Sequence, residues 1–326
     1  MTLVSIGDQV AEGEFAFHSR FNRAANFTHN GHLISVVDEQ IGAGPLNIVV
    51  RDLNARQVEG IPTPSGPSVC GAWGRAPSLP LVITANTVVF EGRRFCYTTG
   101  QRYDSGVDVP AYNPGLFRRN LSVLAELLRD KSPPTSLAFL LDEKRIRNFR
   151  PGFERSFAGR IKCSVQQVFN GRLLDGIRGL RGCGLGLTPS GDDFIAGLLV
   201  ALNLLQKMHE EDSRHIADAI FQTAKGTNVF SNTFLDLARR GLLFGRMKDL
   251  VSSLTRGNAD GVRRATRRLF AIGESSGADL ATGFFMTAAE QGGAVERWKA
   301  QCSTASNADR ELADFHEALP SPAAVR

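Results

Sequence analysis

The chain has 326 residues, 42% of them hydrophobic and 22% charged, and its formal net charge is +5. These values are typical of a soluble globular protein of about two domains, which needs no disulfide or metal to explain folding. The longest apolar run, residues 194–205, is too short to span a bilayer, and the first residues lack the pattern of a secretory signal. We therefore expect a cytoplasmic protein that does not associate with membranes.

The charged residues and cysteines narrow the choice of ligands. Basic residues are dispersed along the chain with acidic residues between them, whereas a nucleic-acid footprint would need basic clusters with interleaved aromatic residues. We therefore expect no nucleic-acid partner, and the modest basic bias suits small anionic ligands. The five cysteines are odd in number and none forms a CxxC pair, which predicts free thiols rather than a structural zinc site.

The first 110 residues contain short runs of branched and aromatic residues, which are typical of β-strands. Turns containing Gly, Pro or Asn separate these runs. The pattern predicts a β-rich domain over residues 1–110, folded as a small barrel or sandwich, with strands at 32–37, 46–50, 81–83, 87–90 and 94–97. Residues 60–80 are rich in Gly, Pro and Ser and are predicted to form a long surface loop.

From residue 111 onward, apolar residues recur at helical spacing, and glycines mark breaks between successive helices. The pattern predicts an α-helical domain over residues 111–326, with helices at 117–129, 165–180, 192–208, 213–224, 229–243, 247–253, 259–270 and 277–290. The predicted fold class is therefore α+β, with a small β domain followed by a larger all-α one. The weakly patterned tail after Ser303 is expected to be partly disordered.

The strongest local signal is the string GCGLGLTPSGDDFIAG at residues 182–197. Its alternating glycines permit tight turns and close approach to a ligand, and exposed N–H groups at a helix start can hold a phosphate or carboxylate. This assigns ligand-binding roles to Gly184, Gly186, Thr188, Ser190 and Gly191. Asp192 and Asp193, in the first turn of the following helix, are candidate catalytic residues and could instead hold a Mg²⁺ ion.

A second copy of the pattern S-G-x-D-x-x-x-G begins 86 residues later, at Ser276 instead of Ser190. Gly197 and Gly283 each follow the aspartate of their copy by four residues and share its helix face. Two such helices could cross at these glycines and direct both N-termini to one pocket. That pocket would add a catalytic Asp279 and the ligand-binding residues Ser275, Ser276 and Gly277. Each copy alone could also be an ordinary helix cap.

Two further segments carry candidate ligand-binding residues. Thr227, Asn228 and Ser231 stand at a predicted helix start, where they could cap the helix or face the ligand. His18 and Asn26 lie in a polar N-terminal segment, and His18 could be a general base, although a lone histidine is more often structural. The sequence contains no G-x-S-x-G, H-E-x-x-H or P-loop string, which disfavours catalysis by those routes.

The chain resembles the AllH-like family, of which one member type is a subunit of oxamate carbamoyltransferase. The resemblance rests on GLGLTPSGDDFIAGLL at 184–199, TNVFSNTFLDLARRG at 227–241 and GESSGADLATGF at 273–284. It is supported by looser matches of HSRFNRAANF at 18–27 and GAGPLNIVV at 42–50, so it spans most of the chain. Where the family has Gly-Pro-Gly before the threonine, this chain has the segment 184–187, GLGL. The resemblance implies a protein that works with partner subunits on carbamoyl phosphate and a small carboxylate such as oxamate or oxalurate.

Three functions are compatible with these residues. The first, which the resemblance implies, is a carbamoyltransferase subunit of allantoin nitrogen metabolism, with phosphate on the glycine-rich loop and the aspartates on Mg²⁺ or a substrate amide. The second is a self-sufficient, metal-dependent hydrolase or lyase acting on a ureido or nucleotide-like substrate. The third is a non-catalytic scaffold subunit that binds a metabolite. A homo-oligomer is expected only because such assemblies are common.

Overall fold

A computed structural model describes residues 1–53, 79–109, 113–290, 293–299 and 301–302. Within these ranges an N-terminal sheet is followed by a helical region, which confirms the predicted α+β order. The tail after Ser303 and nearly all of the predicted loop at 60–80 lie outside the described residues. The domain boundary near residue 110 stays a prediction, although the last strand precedes it and the first long helix follows it.

In the described part of the chain, nine strands form one curled half-barrel sheet in the order β8-β7-β6-β2-β3-β4-β5-β1-β9. Pairing is antiparallel except at β4–β5 and β1–β9. The strands are β1 (Thr2–Gly7), β2 (Gly13–Phe21), β3 (Ala24–His29), β4 (His32–Asp38), β5 (Asn47–Arg51), β6 (Leu81–Thr84), β7 (Thr87–Phe90), β8 (Arg93–Cys96) and β9 (Arg102–Tyr103). The sequence patterns predict β4 to β8 and miss the other four.

One face of the sheet carries the core of the β region, which includes Phe27, Ile34 and Val36. Because side chains alternate along a strand, Leu33 and Val37 of β4 point to the opposite face. Both are buried there, and a helix of the second region contacts β4. The sheet is therefore covered on this side by the helical region.

The helical region contains α1 (Pro114–Lys131), α2 (Phe153–Phe169), α3 (Leu173–Leu180), α4 (Ser190–His209), α5 (Arg214–Ala224), α6 (Val229–Arg239), α7 (Gly245–Arg256), α8 (Ala259–Phe270) and α9 (Ser276–Ala289). Short 3₁₀ turns lie at Leu137–Leu140 and Glu143–Asn148. The predicted helix at 165–180 is wrong in two respects. It is two helices separated at Gly171, whose φ of +83° ends α2, and α2 already begins at Phe153. The other predicted helices are confirmed to within a few residues. No helix in the described ranges is long and apolar enough to span a membrane.

Helix α4 lies at the centre of the helical region. Every residue from 191 to 202 is buried, and the helix contacts α3, α5, α6 and α9. A helix that is surrounded on all sides has no polar stripe, which explains the continuous apolar run in the sequence.

Helices α4 and α9 cross at the two glycines of the repeated motif. A Cβ atom on Gly197 would overlap the Leu280 carbonyl oxygen, and one on Gly283 would overlap the Phe194 carbonyl oxygen. The two backbones are therefore in direct contact, as the spacing of the motif predicted. This crossing sets the N-termini of both helices side by side.

Candidate functional site

Each motif copy joins the end of one helix to the start of the next in the same way. A Cβ on Gly191 would overlap the Leu180 carbonyl oxygen, and one on Gly277 would overlap the equivalent Leu269 oxygen. The N–H of Gly191 donates to the carbonyl of Cys183 at 2.7 Å, and that of Gly277 donates to Ile272 at 3.2 Å. The two copies are therefore structural equivalents.

The loops of the two copies differ in length. From Cys183 to Gly191 the chain advances eight positions, whereas from Ile272 to Gly277 it advances five. The first loop thus contains three additional residues in its glycine-rich part. Leu185 stands at the tip of this insertion and is 83% exposed.

At the start of α4 the N–H groups of Gly191, Asp192 and Asp193 are already paired, whereas that of Ser190 donates to no acceptor among the described residues. Besides the bond from Gly191, the N–H groups of Asp192 and Asp193 donate to the Pro189 carbonyl at 2.9 and 3.0 Å. By contrast, the backbone N–H groups of residues 184–188 donate to no acceptor among the described residues. Successive free N–H groups in a turning loop can bind an anion, so the donors available for an anion lie in the loop and at Ser190, where the loop joins α4.

Glycine is needed in this loop for a conformational reason. Gly184 has a φ of +130°, and a Cβ there would collide with the backbone nitrogen of Ser190. The loop therefore folds back against the start of α4. A substitution at Gly184 would push residues 185–188 away from the helix.

The side chains of the two copies meet between α4 and α9. The Thr188 and Ser276 hydroxyl oxygens are 3.4 Å apart, and both hydroxyls lower the pKa of Asp193 as hydrogen-bond donors. The Ser190 hydroxyl likewise lowers the pKa of Asp279. The structure thus brings together two buried carboxyl groups, 8% and 0% exposed, each beside a serine of the other copy.

Asp279 is fully engaged in hydrogen bonds. Its Oδ1 accepts the backbone N–H of Leu137 at 2.6 Å, and its Oδ2 accepts the Ser275 hydroxyl at 2.8 Å. Burial raises the pKa of Asp279 to about 6, although these bonds and Ser190 oppose the rise. The carboxyl group therefore anchors the 3₁₀ turn Leu137–Leu140 to α9. The patterns in the sequence missed Leu137, because a backbone donor carries no residue-type signal.

Asp193 occupies the equivalent position in the first copy, but its Oδ2 is buried and accepts no hydrogen bond. Burial raises the pKa of Asp193 well above its usual value, and the charge of Asp279 raises it further against the effect of Ser276 and Thr188. Within the described residues no basic side chain contributes to the pKa shift of either aspartate. A buried polar atom without a partner is costly, which makes this oxygen a candidate contact for a ligand.

Asp192 is bonded to the glycine-rich loop, although its charge also raises the pKa of Asp193. Its Oδ1 accepts the backbone N–H of Gly182 at 2.7 Å, so the carboxylate holds the start of the glycine-rich loop. In the part of the chain that is described, no group of three His, Cys, Asp or Glu side chains could hold a metal ion. The Oδ2 atom of Asp193 has no hydrogen-bond donor, and a Mg²⁺ ion beside it stays a prediction, so we derive no chemistry through a metal.

The start of α6 supports the glycine-rich loop. Asn228 caps α6 by accepting the N–H groups of Phe230 and Ser231 at 2.9 and 3.3 Å, and its Nδ2 donates to the Leu187 carbonyl at 2.9 Å. Ser231 is buried with no partner for its hydroxyl, whereas Thr227 is exposed. Asn228 therefore both caps a helix and holds the loop.

His18 and Asn26 belong to the sheet wall next to α6. Asn26 donates to Ser19 at 3.1 Å and accepts from Ser35 at 2.7 Å, so its side chain links three strands. The ring of His18 packs edge-on against Phe230 with 5.1 Å between centroids. These contacts place both residues near the cap of α6, but no contact joins them to Asp193 or Asp279.

A separate surface depression of about 510 Å³ lies at the other end of α4. Charged side chains line it, including Lys207, Glu210 and Asp212. At 1.5 Å per residue, Lys207 is about 20 Å along α4 from Asp193. The depression is therefore not part of the site between the two motif copies.

Comparisons with known proteins support only the helical part of the chain. Neither the curated proteins nor the solved structures contain a match. One family model matches a segment of the chain that begins at the last residue of α3 and ends within α9. This segment holds both motif copies and the cap of α6. Residues 180–288 match the model of the family described as oxamate carbamoyltransferase subunit AllH, in agreement with the resemblance of the motif strings.

Proposed function

We propose that this chain is a subunit of a carbamoyltransferase complex and binds carbamoyl phosphate and oxamate, or the product oxalurate, beside Asp193. The observation that carries the proposal is that the free N–H groups of residues 184–188 and the unpartnered Oδ2 atom of Asp193 occur in the same motif copy. Both lie inside the segment that matches the family. The family description names a subunit, which supports the participation of partner proteins.

The reaction places two demands on a protein. The amide nitrogen of oxamate attacks the carbamoyl carbon, and the bond from that carbon to the phosphate oxygen breaks. The leaving phosphate takes the bonding electron pair and receives the proton that the nitrogen loses. The protein must therefore hold the phosphate charge and orient the amide groups, which N–H donors and fixed acceptors do best where water is excluded.

The residues of the site divide between these two tasks. The N–H groups of residues 184–188 would hold the phosphate, with the hydroxyls of Thr188 and Ser190 close by. Asp193 would face the reacting end of the ligand. Asp192, Asp279 and Asn228 keep this arrangement in place through their bonds to Gly182, Leu137 and Leu187.

The test is a carbamoyl-transfer assay on the full chain, alone and with its co-expressed partner subunits. We expect transfer only in the complex, and a loss on the order of 100-fold in Asp193→Ala, since fixed polar groups in active sites contribute about this much. Asp260→Ala, an exposed aspartate on α8, is the matched control and should keep the full rate. An undiminished rate in Asp193→Ala would contradict the proposal.

A further inference from the structure

We infer that the Oδ2 atom of Asp193 accepts an N–H group of the ligand, so that the site selects molecules with a primary amide over otherwise identical molecules that carry a methyl group. The inference rests on the proposed function, because it assumes that the ligand lies between the glycine-rich loop and Asp193. The preference for an amide over a methyl group would then depend on the single atom Asp193 Oδ2.

The first step is the difference between two equivalent carboxyl groups. Both oxygens of Asp279 accept hydrogen bonds from the protein, at 2.6 and 2.8 Å. The Oδ2 of Asp193 is equally buried and has no donor. Since the protein satisfies one copy and not the other, the missing donor of the first copy is expected to come from a ligand.

The second step concerns the chemistry of that donor. Asp279 lies close enough to raise the pKa of Asp193 by its charge, and no basic group offsets the two carboxyls within the described residues. An anionic group at this point would meet negative potential from two sides. A neutral N–H donor avoids this repulsion and pairs with Oδ2 as long as that oxygen carries no proton.

The third step concerns the other end of the ligand. The N–H groups of residues 184–188 form a donor-only surface, whereas Asp193 Oδ2 is an acceptor. The two regions meet at Thr188, which belongs to the loop and whose hydroxyl lowers the pKa of Asp193. A small molecule with an anionic group at one end and an amide at the other matches both regions at once.

The ligand has a route to this covered oxygen. Thr188 and Ser276 are half-buried, and their hydroxyl oxygens are 3.4 Å apart. Hydroxyl–hydroxyl hydrogen bonds normally measure about 2.7 Å, so this contact is weak. We expect it to open when the loop closes on a ligand.

The experiment uses two matched ligand pairs in calorimetric titrations of the full chain. Acetyl phosphate replaces the amino group of carbamoyl phosphate by a methyl group, and pyruvate does the same for oxamate. We expect the wild type to bind the amide member of each pair on the order of 10- to 100-fold more tightly, as is usual for a hydrogen bond to a charged group. In Asp193→Ala the two members should bind within about threefold of each other, and Asp260→Ala should behave as the wild type.

The outcomes separate the two proposals. Equal binding of both members by the wild type, or a preference that survives in Asp193→Ala, overturns the amide rule and leaves the proposed function standing. An Asp193-dependent amide preference without carbamoyl transfer in any subunit combination supports the rule and contradicts the proposed function. Absence of binding by every ligand overturns both. The wild-type comparison decides even where the alanine variant fails to fold, and Asp193→Asn, which keeps one acceptor oxygen, should retain part of the preference.

Discussion

The two copies of the motif share a backbone arrangement but differ in what their side chains leave unsatisfied. In the second copy a short loop leads into α9, and Asp279 is saturated by Leu137 and Ser275. In the first copy a loop three residues longer leads into α4, its N–H groups are free, and Asp193 Oδ2 has no partner. The features that the two copies share therefore have a structural role. The features that differ, the longer loop and the free Oδ2 atom of Asp193, are the ones suited to binding a ligand.

The largest expected effect tests the shared part of the two copies. Gly197→Ala and Gly283→Ala each place a Cβ on a backbone carbonyl oxygen of the opposite helix, and neither backbone can move without separating α4 from α9. We expect each variant to lose at least about 3 kcal/mol of unfolding free energy, the upper range for overpacking. Urea denaturation measures this loss. Gly159→Ala is the control, since its Cβ meets no neighbour within α2, and it should gain up to about 1 kcal/mol.

The second prediction separates the two aspartates by their effect on stability. Asp279→Ala leaves the Leu137 N–H and the Ser275 hydroxyl without an acceptor, which we expect to cost about 1–3 kcal/mol after relief of the buried charge. Asp193→Ala removes a desolvated carboxyl with no bond to Oδ2, and the Thr188 and Ser276 hydroxyls that lose this acceptor are half-buried, so its loss of stability should be smaller than that of Asp279→Ala. Denaturation of both variants at neutral pH provides the measurement. A larger loss in Asp193→Ala than in Asp279→Ala would break the comparison.

The third prediction concerns pH. The pKa of Asp279 rises from 3.8 to about 6 on folding, and that of Asp193 also rises, so the native state binds more protons than the unfolded state above about pH 4. The unfolding free energy contributed by this pair therefore falls as pH increases through this window. A shift of about two units corresponds to about 3 kcal/mol as an upper bound.

Asp193→Asn isolates this contribution from that of other carboxyl groups. The variant lacks one titrating group and removes the charge that faces Asp279. Its stability relative to the wild type should therefore increase between about pH 4 and about pH 7. A constant difference in urea midpoints across this range would show that folding does not shift the pKa of Asp193.

The smallest expected effect concerns the insertion itself. Leu185 is 83% exposed and has no equivalent in the second copy. Leu185→Ser should change the unfolding free energy by less than about 0.5 kcal/mol, as is usual for exposed positions. A substantial loss in thermal denaturation would mean that the glycine-rich loop is part of the core rather than an addition to it.

Periodicity in the sequence predicts the framework of the site well. The spacing of Gly197 and Gly283 from their aspartates indicates the crossing of α4 and α9, because residues four apart share a helix face. The motif alone makes Asp192 and Asp193 equal candidates, although only Asp193 stands four residues before Gly197. Asn228 is likewise recognisable as a cap from its residue type alone.

Other features leave no trace in the sequence. Strand β2 has a largely exposed face, so its apolar residues do not form the compact run that identified β4 and β5. The break between α2 and α3 depends on a single positive φ at Gly171. The bond from Leu137 to Asp279 joins a backbone donor to a residue 142 positions away. Such bonds depend on tertiary packing, and residue types do not encode them individually.

Hydrogen exchange of the full chain, with and without carbamoyl phosphate, shows whether the ligand binds the glycine-rich loop of the first copy. We expect slower exchange of the backbone amides of residues 184–188 when the ligand is present, because their N–H groups donate hydrogen bonds to its phosphate group. The equivalent loop at 273–276 should exchange at an unchanged rate, which makes the second copy an internal control. Protection of the second loop with none in the first would contradict the account, and so would the absence of any change in both.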